Sequence, residues 1–201
     1  MELSTLTPVL CFVTDRRRFG ASWEDALVGR VRAAALEGVH LIQVRERDLD
    51  GGPLTRLVTA CVDAVRGTTT RVVLNDRLDV AVAAGAHGVH LRGDSFSASR
   101  IRACAPRSFL IGRSVHSVSD AVMAAEDTAI NYLIFGTVFA TRSKADRPAA
   151  GLRELAAVAR ATRLPVLAIG GMTSARIADV MGAGAAGVAG ISMFDMPSDV
   201  S

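Results

Sequence analysis

The chain has 201 residues, half of them hydrophobic and 21% charged, which suits one large globular domain and excludes a disordered polymer. The net charge is only +3, and the one basic run, Arg16-Arg17-Arg18, has no interleaved aromatics, so a solvated loop is expected and a nucleic-acid groove is excluded. No uninterrupted run of about 18 apolar residues exists, which excludes a membrane-spanning helix.

Aromatic residues make up 4% of the chain, so the core must be built from Ala, Val, Leu and Ile. The three cysteines, Cys11, Cys61 and Cys104, are far apart with no CxxC pair, giving neither a zinc signature nor a disulfide framework. Core positions are expected for all three, and a soluble cytoplasmic protein for the whole.

Short, uniformly apolar runs alternate with amphipathic segments. The expected strands are Val9–Thr14, Leu41–Arg45, Arg71–Asn75, Gly88–Leu91, Phe109–Ser114, Tyr132–Gly136, Val166–Gly170 and Gly187–Ile191. Uniform rather than alternating hydrophobicity marks strands buried on both faces, as in a parallel sheet. A first helix repeats Trp23, Leu27, Val28, Val31, Ala34 and Ala35 at a 3.6-residue period, with Ser22 and Asp25 as an N-cap pair and Gly38 as the stop. Further helices are expected from about Pro53 to Val65 and near Leu78–Ala84, Ala98–Ala103, Ser119–Glu126, Gly151–Ala161 and Ser174–Met181. Eight strand–helix units predict an α/β fold, a (β/α)8 TIM barrel forming a single domain over residues 1–201, whose last helix is short or missing. An open doubly wound sheet is the weaker alternative, because no GxGxxG follows the first strand.

In such a barrel the active site lies at the C-terminal ends of the strands, and polar residues concentrate there. Gly170 and Gly171 after strand seven, with Ile191 and Ser192 after strand eight, form the expected phosphate site, since glycine lets backbone amides approach a ligand and a short helix near Ser192 would aim its amides there. A tight turn is the alternative role of the glycines. Arg45, Arg47, Asn75 and Lys144 are expected to converge on a second anionic group. Asp76 among these cations suits Mg²⁺, which takes one or two carboxylates plus phosphate oxygens. His116, in the strand-five segment Gly112-Arg113-Ser114-Val115-His116, is the candidate for proton transfer. His90 fits either the interior or the mouth, whereas His40 and His87 sit at the opposite end or in a turn.

Taken together, these strand ends resemble the thiamine-phosphate synthase/TenI superfamily over nearly the whole chain. The matching pieces are Val13-Thr14-Asp15, Gln43-x-Arg45, Asn75-Asp76-Arg77, Gly88-Val89-His90-Leu91, Ile111-Gly112-x-Ser114-x-His116, Gly136-x-Val138-Phe139-x-Thr141-x-Ser143-Lys144, Ala168-Ile169-Gly170-Gly171-Met172 and Gly187-Val188-Ala189. The resemblance implies substrate contacts from Gln43, Arg45, Arg47, Asn75, Ser114, Thr141, Ser143 and Lys144. It also implies one of two reactions.

Departures from the synthase pattern favour the TenI branch. Arg47 stands where the synthases have Lys, Arg92-Gly93-Asp94-Ser95 replaces Gly-Gln-x-Asp, and Gly136-Thr137 replaces Gly-Pro. The expectation is therefore a thiazole tautomerase, an isomerase needing no cofactor. In it the thiazole phosphate substrate sits on the Gly171 and Ile191–Ser192 amides and His116 moves the proton. The alternative is a thiamine-phosphate synthase, which couples hydroxymethylpyrimidine diphosphate to thiazole phosphate and releases pyrophosphate, with Mg²⁺ on Asp76 and Asp94. A non-catalytic regulator binding thiamine intermediates is a third reading. The partner is a small molecule in each case, and the Ala/Val-rich helix faces leave a homodimer open.

Overall fold

The computed structural model of the chain describes Leu3 and residues 8–141 and 148–195. Eight parallel strands close into a barrel in sequence order: β1 Val9–Val13, β2 Leu41–Val44, β3 Arg71–Asn75, β4 Gly88–Leu91, β5 Leu110–Val115, β6 Tyr132–Gly136, β7 Val166–Ile169 and β8 Gly187–Gly190. Strand β8 pairs back onto β1, with Val9 beside Gly187 and Phe12 beside Gly190. Every expected strand is present, and each bound falls within one residue of the sequence reading.

Because each strand is covered on both faces, its residues divide between two apolar clusters. Val9, Cys11, Leu41, Val73, Leu110, Tyr132, Ile134, Leu167 and Ala189 pack inside the barrel, with Leu3 against them. Phe12, Ile42, Val44, Leu74, Val89, Ile111, Leu133, Phe135 and Val188 face outward and bury the inner stripes of the helices. Each such aliphatic side chain contributes about 1.5–3 kcal/mol by leaving water.

The helices are α1 Trp23–Leu36, α2 Gly51–Ala64, α3 Leu78–Ala83, α4 Ala98–Cys104, α5 Val118–Glu126, α6 Gly151–Arg160 and α7 Ile177–Gly182. Helix α1 buries Leu27, Val31, Ala34 and Ala35 and stops where Gly38 takes φ +85°. Its expected cap is absent, because Ser22 makes no side-chain hydrogen bond to the first turn. The segment Ser174–Met181 divides into a 3₁₀ turn, Ser174–Arg176, and α7. After β8 the described chain makes only a 3₁₀ turn, Ser192–Phe194. Its Phe194 ring lies 5.6 Å from Phe12, and its carbonyl accepts from Arg30 Nε at 2.5 Å.

Two cysteines occupy the core, where burial pushes the Cys11 and Cys61 thiols up to about 12 and keeps them protonated. Cys104 departs from the expectation. It is the last residue of α4, exposed, with its thiol turned back onto the Ile101 carbonyl at 3.3 Å. Among the described residues, no helix is long and apolar enough to cross a membrane.

Candidate active site

The barrel mouth is assembled from side chains that reach from one strand end to the next. Thr14, just past β1, donates its hydroxyl to Glu46 Oε1 at 2.5 Å and accepts from the Arg45 amide at 3.0 Å. Glu46 is 4% exposed and also takes the Arg16 amide at 3.1 and 3.2 Å. This carboxylate fixes the turn that carries Arg45. No sequence motif marks Glu46, since its partners lie about thirty residues away. The basic run beside it is a 3₁₀ turn in which each arginine has its own carboxylate: Arg16 with Asp48, Arg17 with Asp15 and Arg18 with Asp195.

Gln43 and Asn75 meet inside the mouth, the Gln43 amide donating to Asn75 Oδ1 at 3.3 Å. Arg45 is half-buried and, among the described residues, makes no ion pair or side-chain hydrogen bond. Its guanidinium is held below its ordinary pKa by burial first and by the Arg47 charge second. The Asp15 and Glu46 charges act on it only from a distance, and a desolvated cation with no carboxylate bonded to it is set to receive an anion. Arg47 and Asn75 line a cavity of about 290 Å³, together with Asp76, Arg77 and Arg92 over a floor of Val44, Leu49, Leu54 and Leu74.

Asp76 sits at φ +60°, a strained backbone for a non-glycine residue at the end of β3. Its carboxylate accepts from the Arg92 amide at 3.1 Å and from the Ser95 hydroxyl, and pairs with Arg92 Nε at 2.7 Å. Arg92 also reaches Asp94 Oδ1 at 3.3 Å. The donors Asp76, Asp94 and Ser95 are all oxygen and fit a hard cation such as Mg²⁺ with few protein ligands. Arg92 is their present counter-charge. Among the described residues, no three His, Cys, Asp or Glu side chains cluster as a metal cage. Beneath this loop Arg113, half-buried on β5, donates to the carbonyls of Gly93, Ser95 and Phe96. The sequence signal for it was a lone cation within an apolar strand.

Two histidines resolve differently. His90 is interior, 1% exposed, with Nε2 at 2.9 Å from Ser114 Oγ and Nδ1 at 3.3 Å from the Tyr132 hydroxyl. Burial pushes its imidazole down to about 3, so it is neutral. His116 is at the mouth, where its Nδ1–H donates to the Gly136 carbonyl at 2.7 Å and Nε2 has no hydrogen-bond partner among the described residues. Its backbone is fixed by a reciprocal cap on α5: Ser117 Oγ accepts from the Asp120 amide at 3.1 Å while Asp120 Oδ2 accepts from the His116 amide at 2.9 Å.

Gly170 and Gly171 adopt φ of +102° and +60°. A Cβ on Gly170 would meet Thr137 Cγ2 at 2.5 Å, and one on Gly171 the Ala140 carbonyl at 2.6 Å. The glycines are thus required by the close approach of the loop after β6, a packing reason that differs from both the phosphate site and the tight turn weighed from sequence. Arg176 locks the same corner, bonding the Gly171 carbonyl and lying 4.4 Å over the Phe139 ring. Among the described residues, the amides of Gly171 and Ser192 have no hydrogen-bond partner, which leaves both free to face a ligand. Thr141 is half-buried in the loop after β6, and the expected contributors Ser143 and Lys144 lie outside the described residues.

The chain is thus a (β/α)8 barrel whose strand ends gather several arginines and amides at one mouth. Residues 10–194 match the family model for thiamine monophosphate synthase, and the chain belongs to that family. It is similar to the thiamine-phosphate synthase of Methanoculleus marisnigri, 43% identical over 185 residues that cover 88% of this chain and 87% of that protein. It is also similar to the thiamine-phosphate synthase of Roseiflexus castenholzii, 40% identical, with 92% and 79% covered. Among solved structures, a thiamine phosphate pyrophosphorylase from Pyrococcus furiosus matches with a TM-score of 0.79 and 30% identity, covering 92% of this chain and 86% of that one.

These relatives overturn the tautomerase expectation and the isomerase class with it. The reading had given a few substitutions at the mouth more weight than the whole length of the chain. The proton-shuttle role of His116 belonged to that reaction and is not carried further.

Proposed function

We propose that the chain is a thiamine-phosphate synthase, a transferase that joins hydroxymethylpyrimidine diphosphate to thiazole phosphate and releases pyrophosphate. The observation that carries the reading is Arg45, a half-buried guanidinium that makes no close ion pair or side-chain hydrogen bond among the described residues, beside the Gln43–Asn75 contact. The names of the full-length relatives support it.

In this reading the bond between the pyrimidine methylene carbon and the diphosphate oxygen breaks, and the thiazole nitrogen bonds to that carbon. Negative charge grows on the departing diphosphate, and fixed cations that need no reorganisation lower the barrier most. Arg45, Arg47 and Asn75 line its place, with Lys144 assigned there from the family resemblance. Gln43 and Ser114 orient the pyrimidine. The thiazole phosphate takes the amides of Gly171 and Ser192, with Gly170 and Ile191 shaping the turns that present them. Thr141 borders the site from the loop after β6, with Ser143 assigned to the substrate from the family resemblance. Asp76 and Asp94 would hold Mg²⁺, which supplies positive charge to the diphosphate when bound. The whole chain acts as one barrel domain on small-molecule substrates.

Pyrophosphate release is the test. It should require both substrates and Mg²⁺ together; no release at high enzyme concentration would end the proposal, and tight binding of both substrates without release would mark a regulator instead.

A further inference from the structure

We propose that Tyr132 is a positioning residue that acts through His90 to hold the Ser114 hydroxyl as a hydrogen-bond donor toward the barrel mouth, so that the substrate group seated on Ser114 is an acceptor, a ring nitrogen of an aromatic heterocycle. The substrate half rests on the synthase reading. The hydrogen-bond half stands on the barrel interior alone.

Tyr132 opens β6 in register with Gly112 of β5, which in turn pairs with His90 of β4. Its ring lies across the place of a side chain on Gly112, where a Cβ would come within 2.2 Å of Cζ. The phenol is fully buried, and among the described residues its hydroxyl has one partner, His90 Nδ1 at 3.3 Å. Burial keeps the phenol protonated. The other imidazole nitrogen faces Ser114 at 2.9 Å, two residues beyond Gly112 on the same face of β5 and half-buried at the mouth.

A neutral imidazole carries one N–H, so this string has two polarities. In one, the Tyr132 hydroxyl donates to Nδ1 and Nε2–H donates to Ser114 Oγ, which leaves the serine proton free for the mouth. In the other, Ser114 donates to Nε2 and Nδ1–H donates to Tyr132, which leaves the phenolic proton buried with no acceptor. An unpaired buried donor disfavours the second arrangement by roughly tenfold or more. The interior tyrosine thus sets the direction of a hydroxyl that it does not touch.

The test is ¹⁵N NMR of histidine-labelled protein. The chain has four histidines, so a His90→Gln spectrum assigns the signal by subtraction. In the wild type His90 is expected to show bare Nδ1 and protonated Nε2; protonated Nδ1 overturns the proposal, whether or not any variant folds. In Tyr132→Phe an Nδ1–H population should emerge, and KM for the pyrimidine diphosphate should rise about 5–10-fold with little change in kcat. A folded variant that keeps the wild-type tautomer removes the role of Tyr132, and a shifted tautomer with unchanged KM removes the acceptor assignment. Failure of wild-type turnover would count against the synthase reading, not against the imidazole measurement.

Discussion

The Glu46 carboxylate and the Thr14 hydroxyl meet at 2.5 Å across the ends of β1 and β2, inside a shell that leaves Glu46 4% exposed. The contact matters because the same hydroxyl receives the amide of Arg45. Glu46→Ala would strand the Thr14 hydroxyl and the Arg16 amide without an acceptor, and should cost about 2–3 kcal/mol of stability. Thr14→Val should cost about 1 kcal/mol, and the pair should be less than additive. Urea midpoints at unchanged slope measure both; full additivity would show that the two groups do not act as a unit.

Arg45→Ala separates binding from folding. A half-buried cation with no bonded carboxylate among the described residues is costly to the fold, so the variant should be as stable as the wild type or slightly more so. Pyrophosphate release should fall about 10–100-fold, the loss of a charge-assisted hydrogen bond to the diphosphate. Arg45→Lys should restore only part, since an ammonium cannot form the two-pronged contact. Unaltered turnover in Arg45→Ala would remove Arg45 from the diphosphate site.

Arg92 competes for the carboxylates that are assigned to Mg²⁺. Its pair with Asp76 at 2.7 Å is partly exposed, the class of ion pair worth about 0–1 kcal/mol. Arg92→Gln should therefore lower the Mg²⁺ concentration for half-maximal pyrophosphate release by roughly 2–5-fold. Mn²⁺ binding followed by electron paramagnetic resonance should tighten in step. Weaker binding in the variant would place Arg92 among the groups that help seat the cation rather than exclude it.

Acid should weaken the fold through its imidazoles. Burial lowers the pKa of His40 and His87, the latter also through the Arg71 charge, and brings His90 down to about 3. Below the ordinary histidine value of about 6.5 the unfolded chain takes up protons that the folded chain refuses, so stability is complete above that pH and falls as pH drops. Between pH about 6.5 and 4.5 carboxylates are mostly ionised in both states, and His90 alone supplies up to about 1.4 kcal/mol per pH unit. His40→Asn and His87→Asn should flatten the slope seen in urea titrations. A flat wild-type profile would mean that the imidazoles are protonated in the native barrel.

Strands were legible because burial on both faces writes itself as an unbroken apolar run. The strand-end chemistry was legible for the same topological reason, since a parallel barrel sends every strand's C-terminal end to one mouth. What stayed hidden depended on pairing at a distance. Ser22 has the composition of a cap, yet its hydroxyl bonds nothing in the first turn, and only coordinates show that. Tyr132 read as one more apolar strand residue until the register set it beside Gly112. The choice of reaction failed on Arg47 and the Arg92–Ser95 segment, because a changed side chain alters one contact and does not by itself name the chemistry.

The grip of Arg113 on the loop after β4 has a consequence for how this family can diverge. All three of its acceptors, at Gly93, Ser95 and Phe96, are main-chain carbonyls. Every residue offers a carbonyl there, so this part of the loop's path is set by an arginine on the neighbouring strand and does not depend on the side chains at 93 and 96. Gly93 and Phe96 can therefore change while the segment keeps its course, whereas Ser95 is held by its own hydroxyl, which bonds the Asp76 carboxylate and takes the Arg92 amide at 3.0 Å.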